Sequence, residues 1–270
     1  MLMEITNDLT SFQKRVLLSL DNLFEKAFKT GYDFLFIQTL FGAHPLSLTM
    51  TQEATSSIFE TVHFVRYFDQ LVSENNSQKN NLRIGLSIYC HIYETNFIPR
   101  IIYNLITIRE GILDCLPFKL TNNKWEMSPD RKIKQIAEKD KVIGDLMNEF
   151  YDSKIRNAFV HSDYILTDEK IILTADRNMK RVVYPKNDLA NKLDNMHFFF
   201  EAFIQTWMAY KIEIYNNGDV IYGNSKMERY KLIVNAENHE LIGLESTDEE
   251  PNGEYLKRRN CNKQESGKII

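Results

Sequence analysis

Within the stretch YDSKIRNAFVHSDY, three side chains of different chemical character fall close together: Arg156, Asn157 and His161. A guanidinium is a planar fork of donors that matches paired phosphate or carboxylate oxygens. An imidazole has an ordinary pKa near neutrality, so it can take up or release a proton at physiological pH. A carboxamide can orient either neighbour. On a helix, residues four apart share a face, which places Asn157 beneath His161. Arg156 lies about a third of a turn aside, with a side chain long enough to reach round. Ile155, Ala158, Phe159 and Val160 supply an apolar surface against which this polar patch can be held. As the end of its helix, His161 is expected near solvent.

Other residues can support the patch. Ser162 and Asp163 follow the histidine and can orient the imidazole, although a Ser-Asp pair at a helix end is more often turn chemistry. His91 and Glu94 lie three apart on a helical stretch, as a second polar element of a cleft or as a hydrogen-bonded pair of the core. The same motif can also serve stability alone, with Arg156 paired to Asp152 one turn earlier and His161 capping the helix. Arg131, Lys132, Lys134, Lys139, Lys141 and Lys154 precede the motif and could guide a polyanion. Glu138, Asp140, Asp145 and Glu149 interleave with them, which favours a solvated mixed-charge face.

The elements that position these residues are mostly helical. Apolar residues at three- and four-residue steps predict a helix over 8–28, ended by Gly31. An apolar stretch follows, broken near Gly42 to Pro45, and a helical pattern returns over 51–73. SENNSQKNN (73–81) is the clearest internal boundary. Residues 83–109 read as helix with Pro99 inside, hence a kink or, with Asn96 before Phe97, two helices. KLTNNKWEMSPD is a polar turn before a helix over 129–139 that starts at Pro129. One further helix is expected over 141–160. Beyond His161, YILTDEKIIL and KRVVYP predict a small β-hairpin, with turn signals at Thr167-Asp168 and Arg177-Asn178. Leu189, Leu193, Met196, Phe200, Phe203, Ile204, Trp207 and Met208 stripe a long helix over 187–215. Past Asn217-Gly218, VIYG, YKLIV and HELIGL resemble strands around a turn at 235–238, and a mobile tail is expected from about Ser246. The fold class is therefore mainly α with minor β elements: an N-terminal helical extension over 1–75, a helical core over 82–215, and a short β element with a flexible tail over 216–270.

Composition narrows the function classes. The 270 residues are 43% hydrophobic and 26% charged, enough apolar surface for an ordered core. A net charge of −4 argues against coating nucleic acid by bulk attraction, so any such contact must be local. Cys90, Cys115 and Cys261 are odd in number and far apart, which disfavours a disulfide framework or a zinc site. His44, His63, His197 and His239 lack metal-ligand spacing to Asp, Glu or Cys, so no metal is expected. The sequence contains neither a glycine-rich phosphate loop nor a Gly-x-Ser-x-Gly elbow. MLMEITNDLTSFQKR has no basic start followed by an apolar run, and the apolar stretches are too short or interrupted for a bilayer. The expected compartment is cytoplasmic, without membrane spanning.

Arg156-Asn157-Ala158-Phe159-Val160-His161 resembles the Arg-x4-6-His motif of the HEPN superfamily, with four intervening residues and the polar residue directly after Arg. The likeness extends to helices before the motif, a motif-bearing helix and a long helix after it, over roughly 82–215. It implies an antiparallel HEPN-like helical bundle and a metal-independent endoribonuclease, as among toxins and antiviral defence proteins, usually with two motifs meeting across a homodimer. An inhibitory or antitoxin partner is a further implication. A subgroup of these toxins carries tyrosine two residues beyond the histidine; this chain has Asp163 there, and Tyr164 one place later. The chemistry is consistent with the residues. RNA supplies its own nucleophile, the 2′-hydroxyl, so the enzyme needs a proton acceptor, a proton donor for the leaving 5′-oxygen, and a cation for the phosphorane. His161 suits proton transfer, Arg156 the phosphate, and Asn157 the orientation of either; no cofactor is required. One chain brings one motif histidine to two proton transfers, which favours a homodimer with a composite site. The alternative is a non-catalytic helical module that binds RNA or a partner protein.

Overall fold

The computed structural model describes residues 9–30, 33–41, 48–74, 77–95, 97–112, 128–174, 181–215, 220–223, 229–234 and 241–247. It is mainly helical. The helices are α1 (Ser11–Lys29), α2 (Asp33–Phe41), α3 (Leu48–Glu74), α4 (Gln78–Glu94), α5 (Phe97–Arg109), α6 (Pro129–Lys139), α7 (Lys141–Phe150), α8 (Ser153–Val160) and α9 (Lys186–Tyr215). Strands β1 (Tyr164–Leu166), β2 (Lys170–Leu173) and β3 (Val182–Pro185) separate α8 from α9, and β4 (Val220–Gly223), β5 (Arg229–Val234) and β6 (Leu241–Thr247) follow it.

Local chemistry sets the helix ends. The Thr10 hydroxyl accepts from the Gln13 amide at 3.2 Å while the Gln13 side chain accepts from the Thr10 amide at 2.9 Å, a reciprocal cap that starts α1. Its apolar stripe, Phe12, Val16, Leu20, Leu23, Phe24 and Ala27, is buried against α5 and α9. Between α4 and α5 the chain divides into two helices at Thr95, whose backbone is extended. Pro99 falls in the first turn of α5, where an amide has no intrahelical acceptor and its loss costs little. At the α6–α7 junction Asp140 closes one helix and caps the next, accepting from the Ile143 amide at 3.0 Å. The two helices meet so closely there that a Cβ on Gly144 would lie 2.3 Å from Ala137 Cα.

Helix α9 is the central strut, lying against α1, α4 and α7 and the first sheet. Leu189, Met196, Phe200, Phe203 and Trp207 are buried along it. Each fully buried side chain of this size contributes about 1.5–3 kcal/mol before entropy is subtracted. Trp207 also donates from Nε1 to the Leu40 carbonyl at 2.6 Å, tying α9 to α2. The Lys211 ammonium lies 4.5 Å from the Trp207 ring centroid, a cation–π contact inside the core. Side chains of all nine of these helices, with Leu166, Ile171 and Leu173 of the first sheet, share one apolar core.

Two expectations change in detail. The single helix expected over 141–160 is two, α7 and α8, separated by extended backbone at Tyr151 and Asp152. No proline or glycine breaks it; Asp152 caps α8 by accepting from the Lys154 amide at 3.0 Å, so a capping carboxylate does the work of a breaker. The expected hairpin after His161 is a three-stranded antiparallel sheet in the order β1-β2-β3, with Leu166 opposite Ile171 and Ile171 opposite Tyr184. Leu166, Ile171 and Leu173 are buried, whereas Ile165 and Val183 face outward. The Thr167 turn is as expected, its hydroxyl bonded to both backbone groups of Lys170. The second sheet, also antiparallel in the order β4-β5-β6, is the C-terminal β element and packs beside α2 and α3. The turn signals at Gly31, Gly42 to Pro45, Arg177-Asn178 and 235–238, the 119–127 part of the polar turn, and all of the expected tail beyond Thr247 lie outside the described residues.

Candidate functional site

Helix α8 is only two turns long, and it is held at both ends. At its start, the Tyr89 hydroxyl on α4 donates to the Phe150 carbonyl at 2.8 Å and accepts from the Asp152 amide at 2.7 Å. It thus satisfies both backbone groups freed where α7 stops. Burial pushes the Tyr89 phenol far above its ordinary pKa, so it stays a neutral donor. The Asp152 carboxylate accepts from the Tyr184 hydroxyl on β3 at 2.7 Å and lies 3.8 Å from the Lys192 ammonium on α9. Four elements therefore converge on one turn. Between the ends, Ile155 and Ala158 are buried and anchor the helix.

At its end, α8 closes in a Schellman arrangement. The Asp163 amide reaches the Ala158 carbonyl at 2.8 Å and the Ser162 amide the Phe159 carbonyl at 3.0 Å. The residue that must take the left-handed backbone is Ser162, at φ 58°. Glycine is the usual occupant, and a Cβ there costs about 1–2 kcal/mol. His161 is the cap residue itself, exposed at the helix end. Its imidazole makes no hydrogen bond among the described residues. Ser162 and Asp163 contribute turn chemistry: the Asp163 carbonyl accepts from the Thr174 amide at 2.9 Å and hydroxyl at 2.7 Å, and neither side chain bonds the imidazole. Phe159 and Tyr164 stack at 5.6 Å, seating β1 on α8.

Arg156 points to α4. Its Nε forms an ion pair with Glu94, and its Nη1 donates to Asn157 Oδ1 at 2.8 Å. The guanidinium is partly buried, with 27% of its side chain exposed. The expected alternative pairing with Asp152 does not form, because that carboxylate is engaged by Tyr184, Lys192 and the helix cap. Glu94, Arg156 and Asn157 are thus brought together as one polar cluster. His91 is not part of it: its ring stacks on Phe64 of α3 at 4.1 Å, its Nε2 lies 3.4 Å from the Thr61 hydroxyl, and burial lowers its pKa. Three residues of helix are enough to turn His91 and Glu94 to different neighbours. Beneath the cluster, the Cys90 thiol is pushed up to about 12, chiefly by burial, with Arg156 opposing and Glu94 adding to the shift. It is a packing residue at neutral pH.

The basic residues before the motif do not form a continuous cationic track. Lys132 is fully buried, Lys139 pairs with Glu110 at 3.6 Å, and Lys141 pairs with Asp145. Arg131, Lys134 and Lys154 remain exposed. Sequence reasoning passed over Tyr89, Asp152 and Tyr184 as positioning residues. The Asp152-Ser153 capping signal could have revealed the first turn of α8; the long-range tyrosine contacts could not have been read from spacing. Among the described residues no group of three or more His, Cys, Asp or Glu could hold a metal ion, and no helix is long and apolar enough to cross a membrane. Comparison with protein-family models, curated proteins and solved structures finds no match to the chain.

Proposed function

We propose that the chain is a metal-independent endoribonuclease of HEPN type, with Arg156 and His161 catalytic and Asn157 assisting. The observation that carries this reading is the contrast along one short, doubly anchored helix: a guanidinium pre-aimed by Asn157 and Glu94, and an exposed imidazole without a hydrogen-bond partner among the described residues. A fixed cation and an accessible proton carrier are the two functions that 2′-hydroxyl attack requires.

In this reaction the 2′-oxygen attacks phosphorus, the P–O5′ bond breaks, and the 2′ proton leaves to a base while an acid protonates the departing 5′-oxygen. His161 serves one of these transfers, and the His161 of a second copy serves the other, so the active form is a homodimer. Arg156 stabilises the equatorial oxygens of the phosphorane. Glu94 holds the guanidinium until phosphate displaces it, which sets affinity as well as geometry. Defence or toxin-like growth control, under an inhibitory partner, is the setting this chemistry fits. The ion pair to Glu94 also favours a second reading, a non-catalytic module in which Arg156 serves structure. Incubation of purified protein with structured RNA in excess chelator decides between them. Cleavage by the wild type and its loss in His161→Ala is expected; cleavage untouched by the substitution removes the histidine from the mechanism, and cleavage stopped by the chelator transfers it to a metal.

A further inference from the structure

Away from α8, a cleft of about 660 Å³ opens between α4 and the first three turns of α9, walled by the end of α3 and the β1–β2 turn. That volume lies within the range of small-molecule sites, about 300–1,000 Å³. Its floor is apolar: Leu82 and Leu193 are buried there, and a Cβ on Gly85 would come within 3.1 Å of Leu193 Cδ1. Gly85, having no side chain, lets Leu193 pack directly on the α4 backbone, so the two helices meet in an apolar seam that forms this floor. One end is built from Asp69, Asp194 and His197. The Asp69 carboxylate sits 3.1 Å from His197 Nε2, while Asp194, one turn before the histidine on α9, makes no hydrogen bond among the described residues. The other end holds Lys186, whose ammonium donates to Gln78 at 3.0 Å, with Asp168 on the nearby turn. Lys186 and Asp194 are eight residues apart on one helix, about 12 Å along its axis.

We infer that this cleft binds a small organic cation, with its apolar body on the Leu82–Leu193 floor and its ammonium group between Asp69 and Asp194. The charge balance selects the sign. Three carboxylates face one lysine, which has its own partner in Gln78, and one imidazole already paired with Asp69. Carboxylates outnumber the cationic groups, so an anion would face Asp194 at one end and Asp168 at the other. An ammonium ion finds an acceptor in Asp194, which makes no hydrogen bond among the described residues and has the His197 ring as a charged neighbour. This inference does not depend on Arg156 or His161.

The test is isothermal titration calorimetry of the full chain with tryptamine, and with indole-3-propionate as a probe of similar body and opposite charge. Saturable binding of tryptamine is expected, at least about tenfold tighter than that of indole-3-propionate. Asp194→Asn and Asp69→Asn should each weaken tryptamine by about tenfold or more, at unchanged thermal stability for Asp194→Asn. No saturable tryptamine binding, equal binding of the two probes, or preference for the carboxylate would overturn the proposal. The comparison of probes stands on wild-type protein alone, so a variant that fails to fold does not blunt it.

Discussion

Replacing Tyr89 by Phe removes one oxygen and leaves the ring in place, so it isolates the bond that separates α7 from α8. That hydroxyl, on a side chain only 1% exposed, serves the Phe150 carbonyl and the Asp152 amide at once. A buried amide stripped of its acceptor costs about 1–3 kcal/mol. Asp152 is itself only partly buried, so water can recover some of this and the lower half, about 1–2 kcal/mol, is expected. At about 2–4 °C per kcal/mol for a chain approaching this size, the melting temperature should fall by about 2–8 °C. Urea unfolding should show a lower midpoint at unchanged slope, and amide exchange should quicken over residues 152–161 more than elsewhere. The site should suffer with it, since α8 carries Arg156 and His161. A variant that melts within about 1 °C of wild type, with Asp152 exchange unaltered, would refute the claim that this phenol holds the motif helix.

Glu94→Gln should barely alter stability, because the ion pair is half exposed and such pairs are worth about 0–1 kcal/mol; it should tighten RNA binding several-fold, read by fluorescence anisotropy in a His161→Ala background, and unchanged affinity would show that Glu94 does not compete with phosphate. Ser162→Gly should stabilise the chain by about 1 kcal/mol in chemical denaturation, by releasing a Cβ from the left-handed region; a destabilised variant would mean that the serine side chain has a role of its own. For Asp140, burial would raise the pKa, but the Arg109 bond and the Ile143 and Val142 amides outweigh it and hold the carboxyl below its ordinary value. A depressed folded pKa means stability present above the unfolded value of about 3.9 and lost as pH falls through the folded one. The stability advantage over Asp140→Asn should therefore be constant above about pH 5 and shrink in acid; a gap independent of pH would deny the charge any part.

Much of the helical frame could be read from the chain because its signals are local. The stripe of α9, the proline at the start of α6 and the polar break before α4 each depend on neighbours within a few residues. The β segments were legible through alternation and turn residues, but a third strand beside β1 and β2 needed the register, which alternation alone does not set. The α7–α8 break was missed because residues 150–153, where it falls, include no proline or glycine and the decisive partner, Tyr89, lies 61 residues from Phe150. At the candidate site, the motif spacing put Asn157 and His161 on one helix, and Glu94 was singled out beside them. What spacing could not supply was direction. The sequence offered Arg156 one carboxylate, Asp152; its ion pair is instead with Glu94, and the competing claims of Tyr184 and Lys192 on Asp152 explain the choice. The Asp69–His197 pair joins residues more than a hundred positions apart, beyond any local pattern.

The chemistry at Arg156 and His161 is tested most directly by the termini left on RNA. With chelator present, the wild type should leave a 2′,3′-cyclic phosphate and a 5′-hydroxyl, and His161→Ala should lower the rate by about 10²-fold or more. Fragments ending in 5′-phosphate, or equal rates from the two proteins, would contradict an imidazole acting on the 2′-hydroxyl route.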